Sequence, residues 1–317
     1  TFFNDCGKKQ TPFCLFIASH DGHAPFTTGD PSKYNKDKLT IPPYWLDTPA
    51  LRENLVKYYA EITNFDDLVG QIRGLLEEKG LWENTIFAVC SEQGVQFPFA
   101  KWTCYDNGLH TGLVMSWPGV IKNGSQVEEL ISIADITPTF VEAAGGTLKE
   151  GDVDGKSFLK TLKGEKQVLH DYVYGAFTNC NISGNRDRIF PIRSIRNKGF
   201  SLLYNPNFIN TTSNTTLTNK KGPAMSFHAL KGSSAKADAL IHKMHHRPEY
   251  EFYNLKSDPY ELKNEINNPE YTDVVIALKK QLHIRLEQLG DRDPIATEKS
   301  LVKGKTATPK KRKKQKK

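Results

Sequence analysis

The stretch SEQGVQFPFAKWTCYDNG, residues 91–108, places a carboxylate, an amide, a glycine and a lysine within eleven positions, directly after the apolar run TIFAVC. Glu92 and Gln93 both carry oxygen, one charged and one neutral, and Gly94 lets the backbone turn sharply beside them. Adjacent oxygen donors at the exit of a strand suit a hard divalent cation, calcium or magnesium, but such a cation takes about six to eight oxygens, so two are too few. A solvated loop carboxylate is the plainer reading of the same dipeptide. Lys101 follows Pro98 and stands beside Trp102, a partly apolar setting that can hold a cation ready for an anionic group. A surface lysine laid along apolar neighbours is the alternative. Upstream, SHDGHAPF carries His20 and His23 with Asp21 and Gly22 between them. Two imidazoles there can serve as acid, base or anion contact near neutral pH, or be ordinary turn histidines. They stand three apart in a turn that carries Gly22 and Pro25, not four apart on a helix, which argues against a zinc pair of the HExxH kind.

The elements that must position these groups are legible in the apolar periodicity. PFCLFIAS, residues 12–19, is a short continuous apolar run and reads as a buried strand ending in the turn HDGHAPF. Between Leu51 and Glu78 the residues Leu55, Tyr58, Ile62, Phe65, Val69, Ile72 and Leu76 recur at helical steps, an apolar stripe for packing on a sheet, and Gly80 stops it. TIFAVC and GLVMSWPG follow as further buried strands, so parallel pairing in a doubly wound sheet is expected, with active groups at the strands' carboxyl ends. ADITPTFVEAAGG predicts a helix with Asp135 as N-cap and Gly145 and Gly146 as its stop. Beyond about residue 185, FPIRSIRNKGFSLLYN and YEFYNLKSDPYELKN read as short strands, and YTDVVIALKKQLHIRLEQLG as a closing helix. HHRP near His245 and His246 reads as loop.

Composition narrows the field. The net charge of +7 would point to a polyanion partner, but the last 17 residues hold nine Lys or Arg and no acid. Without them 34 basic residues face 36 acidic ones, so no basic face is expected on the folded body and no specific nucleic-acid partner follows. The tail reads as disordered, either a solubilising extension or a nonspecific polyanion binder. No apolar run is long enough for a transmembrane segment, and TFFNDCGKKQ has no signal-peptide pattern. Five cysteines make no CxxC pair, and Cys14 and Cys90 are expected to act as small hydrophobes inside strands. GxSxG, GxGxxG and P-loop patterns do not occur.

Taken in order, these pieces resemble the C-terminal part of a type I, formylglycine-dependent sulfatase of the alkaline-phosphatase-like superfamily. SHDGHAPF is similar to the family's HxPHxPF turn, and CSEQGVQFPFAKWTCYDNGLHTGLVMSWPG to its block SDxGxxxPxxKxxxYxxGxRxPLIxxWPG. SIADITPTFVEAAG, DGKSFLKTLKG and EFYNLKSDPYELKNEINNPEY are similar to three further blocks, so the resemblance runs from about residue 12 to 290. It implies a mainly parallel α/β sheet flanked by helices in residues 1–185 and a small α+β subdomain in 186–292, beyond which composition leaves a disordered basic tail in 293–317. It implies His23 and Lys101 as catalytic residues, Glu92 and Gln93 as ligands of calcium rather than magnesium, and His20 and His110 as substrate contacts. The family more often has Asp and Asn at the two ligand positions, and an arginine where His110 stands. The Glu-Gln pair is similar to sulfatases resembling N-sulfoglucosamine sulfohydrolase, which implies a sulfated glycosaminoglycan-like substrate and a periplasmic or secreted setting. Phe177 falls where that group would have a substrate-pocket residue.

The family's nucleophile, a formylglycine made in C/S-x-P/A-x-R, has no counterpart in these residues, nor has its N-terminal aspartate pair. The expectation is a fragment of a sulfatase, inactive alone. A phosphatase or phosphodiesterase of the same superfamily would want a two-metal site with several Asp and His ligands. A noncatalytic polyanion-binding relative would use the basic tail instead.

Overall fold

A computed structural model describes residues 2–9, 11–178 and 189–304. They fall into two compact units, one within Thr1–Pro42, Asp47–Gln96 and Leu109–Val173, the other within Pro43–Leu46, Phe97–Gly108 and Tyr174–Lys317. The expected boundary at 185 lies outside the described residues, as does the lysine-rich stretch 305–317.

In the first unit, helix α1 (Phe2–Lys9) brings Phe2 and Phe3 against Phe13, ring edges to faces. Residues 11–20 then carry no regular secondary structure, which corrects the strand expected at 12–19. A strand of this kind needs a paired edge and cover on both faces. Among the described residues it has neither: Leu15, Phe16 and Ile17 are 42%, 84% and 56% exposed, and Cys14 is exposed as well.

Helix α2 (Pro49–Glu78) forms where periodicity predicts it. Thr48 Oγ1 accepts from Leu51 N at 3.1 Å, Pro49 opens the first turn, and Gly80 ends the helix at φ +65°. Leu51, Leu55, Ala60, Glu61 and Leu76 are buried, while Ile62 in mid-stripe is open. The helix packs mainly on the one-turn helices Pro31–Lys33, Lys36–Lys38 and Trp82–Asn84 rather than on the expected sheet.

Strands β1 (Phe87–Cys90) and, after the short helix α3 (Asp106–Leu109), β2 (Leu113–Ser116) stand where expected but pair antiparallel, Phe87 opposite Ser116 and Cys90 opposite Leu113. Ser91 N donates to Gly112 O at 2.9 Å, so the chain returns as a long hairpin instead of crossing over. Val114 is 70% exposed and Cys90 is exposed, so alternate residues face solvent and the expectation of double-sided burial fails here. Helix α4 (Ile136–Ala143) follows a turn capped by Ser132, not by the side chain of Asp135. Asp135, fully buried, instead accepts from Ser132 N, Lys156 N and His170 Nε2 at 2.7, 2.7 and 2.8 Å and ties down the segment that leads to α5 (Leu159–Leu162).

The second unit is built on a four-stranded sheet in the order β3 (Val173–Phe177), β4 (Ile192–Arg196), β5 (Phe200–Tyr204), β6 (Tyr250–Asn254), with β4, β5 and β6 antiparallel. Between β5 and β6 come α6 (Thr215–Thr218), α7 (Pro223–His228) and α8 (Ala235–His245), so His245 ends a helix rather than lying in a loop. Helix α9 (Thr272–Gln288) lays Val275, Leu278, Leu282 and Leu286 on β4 and β5. Ile192, Ile195, Leu202, Leu203, Phe252 and Tyr253 form a core closed to solvent. The expected disordered tail does not begin at 293: α10 (Pro294–Gly304) continues the chain as helix, with Glu298 fully buried.

Candidate active site

The histidine turn is held by a carboxylate that periodicity treats as just another helix position. Glu61 on α2 is 2% exposed, and its two oxygens accept from Gly22 N at 2.9 Å, Thr27 N at 2.6 Å and Thr28 N at 3.2 Å. Gly22 lies at φ +81°, a conformation glycine tolerates. Gly29 passes so close to α2 that a Cβ there would sit 2.1 Å from Ala60 O. Asp21 accepts from Ser19 Oγ, Thr28 Oγ1 and Asn64 Nδ2. Burial pushes the Asp21 carboxyl up, but these bonds and the charge of His20 outweigh it, so its pKa is lowered.

This turn presents His20 and His23 as exposed side chains. His23 Nδ1 lies 2.8 Å from Ala24 O. A carbonyl only accepts, so Nδ1 carries the proton and Nε2 is left facing outward, as acceptor when the ring is neutral and as donor when it is charged.

Glu92 and Gln93 lie just beyond β1, both exposed, with Gly112 N donating to Ser91 Oγ at 2.7 Å beside them. His110, also exposed, lies between α3 and β2. Sulfatases generally hold a divalent metal, yet among the described residues no group of three or more His, Cys, Asp or Glu stands close enough to hold one.

Lys101 belongs to the second unit and is only 8% exposed. Its loop is wound tightly: Ala100 N bonds Phe97 O, Thr103 N and Oγ1 bond Ala100 O, and Trp45 Nε1 reaches Pro98 O at 2.7 Å. Phe99 and Trp102 adopt positive φ, 62° and 66°, which non-glycine residues do only under tertiary constraint. A Cβ on Gly108 would lie 2.5 Å from Ala100 O, so glycine is required there for the loop to close. The Lys101 ammonium lies 5.4 Å from the centre of the Trp102 ring. Phe177 is buried at the end of β3, where its carbonyl accepts from Arg193 Nη1 at 3.1 Å.

Two buried carboxylates organise this unit and escaped the reading of the sequence as site residues. Glu251 accepts from Tyr105 Oη and Tyr253 Oη at 2.7 and 2.5 Å and from Asn205 Nδ2 at 2.9 Å. Burial pushes the Glu251 carboxyl up, but nearby Lys243 and Arg247 and the two tyrosine bonds bring it below its ordinary value. Glu261, in the ending block DPYE, binds Arg196 Nη2 at 2.6 Å and Asp106 N at 2.6 Å. The signal for Glu251 and Glu261 was their place in the ending block EFYNLKSDPYELKN. For Glu61 the signal was a charged residue among buried helix positions, and for Arg247 there was none beyond a basic residue before a proline.

The chain belongs to the sulfatase family. The family described as Sulfatase matches residues 2–146, and N-sulphoglucosamine sulphohydrolase, C-terminal, matches residues 94–235. An ulvan-active sulfatase of Formosa agariphila is 33% identical over 292 residues, covering 90% of this chain and 54% of that protein. Human N-sulphoglucosamine sulphohydrolase is 24% identical over 313 residues, covering 87% of this chain and 60% of that protein. The chain thus spans a little over half the length of these two relatives. The structure of BT4656 in complex with its substrate D-glucosamine-2-N,6-O-disulfate superposes with a TM-score of 0.56 at 21% identity, over 77% of this chain and 42% of that one. The fold is the α/β fold of sulfatases, alkaline-phosphatase-like. Among the described residues no helix is long and apolar enough to cross a membrane.

Proposed function

We propose that these residues are part of a sulfatase that removes sulfate from sulfated glycans, as esters or sulfamates, in a periplasmic or secreted setting. The observation that carries this reading is the 33% identity to an ulvan-active sulfatase along 90% of the chain, with the Sulfatase match over residues 2–146 taking in the histidine turn and the Glu92 to Lys101 block. The name of the human relative supports a substrate of the glycosaminoglycan kind.

A sulfate ester resists attack because its own oxygens repel a nucleophile. Lys101 holds the sulfate and offsets charge that grows on those oxygens as the bond breaks. His23, pinned through Nδ1, offers Nε2 to the sulfate or to the departing oxygen or nitrogen, which it protonates when charged. His20 and His110 contact the saccharide. Glu92 and Gln93 are two oxygen donors toward calcium, which takes further oxygens besides. The motif C/S-x-P/A-x-R does not occur in the 317 residues, so we expect no turnover from them alone.

The test is to incubate the purified 317-residue chain with a sulfated oligosaccharide and with its desulfated counterpart. The expected result is binding of the sulfated one only, lost in Lys101→Met, with no release of inorganic sulfate. Equal binding of both sugars sinks the substrate class, and sustained sulfate release sinks the expectation of inactivity.

A further inference from the structure

The second unit holds a cleft of about 290 Å³, walled by the rings of Tyr44, Phe99, Tyr105 and Tyr260 and by Leu240 and Leu262. None of the residues assigned above to sulfate or cation lines it. An apolar cavity of about 150 Å³ already takes a benzene ring, so there is room here for a ring with a substituent. At the rim Tyr260 and Leu262 are 50% and 38% exposed, and Tyr260 stands against Tyr44 with ring centres 5.8 Å apart. Among the described residues three other than glycine have positive φ, and two of them, Phe99 at 62° and Glu261 at 53°, line this cleft. Glu261 is buried while both its neighbours stand at the rim. Backbone strain of this kind persists only where the surroundings hold it, and it gathers at ligand sites.

The charged groups of the lining are engaged with one another. Arg196 donates to Asp106 Oδ1 and to Glu261 Oε1, each at 2.6 Å, and Asp106 N holds the other Glu261 oxygen. Lys243 donates to Glu261 O, and its ammonium lies 4.7 and 4.8 Å from the ring centres of Tyr105 and Tyr253. Two carboxylates meet two cations, which leaves an ion entering the cleft no opposite charge to replace its water. Asn107 differs: its Nδ2 is shielded from water and finds no acceptor among the described residues. The last torsion of an asparagine is soft, so the amide can turn this donor to the cleft. A sugar brings hydroxyls around its whole rim and would leave most of them unpaired against these walls. A flat aromatic body is met by the rings, and one acceptor on it by the amide.

We propose that this cleft is a binding site for a small uncharged aromatic molecule that carries one hydrogen-bond acceptor, of the aryl amide kind. Its ring lies against Tyr44 and Tyr260, and the Asn107 amide donates to the acceptor. The apolar walls hold the body and the single amide sets its orientation, the usual division of labour in a small-molecule site. The site uses other residues and another chemistry than the sulfatase reading, so either stands or falls without the other.

The test is a ligand-observed NMR titration of the 317-residue chain with four probes. These are benzamide, toluene, which lacks the acceptor, benzoate, which has the shape and a charge, and methyl glucoside. Benzamide is expected to bind saturably, toluene more weakly, and benzoate and methyl glucoside not at all. Asn107→Leu, close in size, should weaken benzamide about fivefold and leave toluene unchanged. Tyr260→Ala, at a half-exposed position outside the core, should weaken both about fivefold. Absence of saturable benzamide binding overturns the proposal, as does binding that neither variant alters. Benzoate binding as well as benzamide would show that charge is no bar, which also overturns it. Methyl glucoside binding in place of benzamide would assign the cleft to a sugar and overturn it too.

Discussion

In the second unit β4, β5 and β6 are joined by ladders, and α9 covers β4 and β5; in the first, β1 and β2 pair with each other alone among the described residues and the apolar run at 15–17 lies open. The candidate residues follow the same division. His20, His23, Glu92, Gln93 and His110 are exposed on the first unit, whereas Lys101 is buried in the second. Their anchoring differs too. The histidine turn is held by one carboxylate, Glu61, taking backbone N–H groups, while the second unit locks side chain to side chain, as in Arg196 with Asp106 and Glu261. A closed core fixes a side chain by surrounding it; a turn on an open surface has to be fixed by bonds to its backbone.

The largest expected effect comes from breaking the closed core. Phe252 is fully buried and stacked on Phe200 with ring centres 5.5 Å apart, so Phe252→Ala should cost about 3–5 kcal/mol in urea unfolding. A loss under about 1 kcal/mol would mean that the second unit is as loosely packed as the first.

Next comes the anchor of the histidine turn. Glu61→Gln removes the charge that serves three N–H groups and should cost about 2–3 kcal/mol, with amide exchange at Gly22, Thr27 and Thr28 quickened. Unchanged exchange at those amides would show that the loop's own packing, not Glu61, shapes the turn.

A titration sharpens the contrast in burial. Cys104 is fully buried, and burial pushes its thiol from the ordinary 9 up to about 12. The folded state favours the neutral thiol, so this contribution is complete below pH 9 and fades as pH rises from 9 towards 12. At pH about 8, labelling mapped by mass spectrometry should find Cys14 and Cys90 modified and Cys104 protected until the chain unfolds. Early labelling of Cys104 would break the comparison.

The smallest effect is expected at the open segment. Phe16→Ser should leave stability within about 0.5 kcal/mol and reduce self-association measured by light scattering. A loss above about 1.5 kcal/mol would show that this segment is covered in solution, and the contrast between the units would fall.

Local pattern carried far in this chain. The helix at α2, the strands β1, β2, β4, β5 and β6 and the helix α9 stand where period and turn residues placed them, because each is set by residues near in sequence. The blocks around His23, Glu92 and Lys101 were equally legible and identified the sulfatase family. Pairing direction was not: a continuous apolar run says that a strand suits burial, not which edge it will meet, so β1 and β2 came out antiparallel and 12–19 unpaired. Nor was the role of Glu61, Glu251 or Arg247, since a carboxylate or guanidinium looks alike in sequence whether solvated or buried. Only tertiary structure decides that, by removing water from around the charge and bringing residues distant in the chain, or none, to replace it.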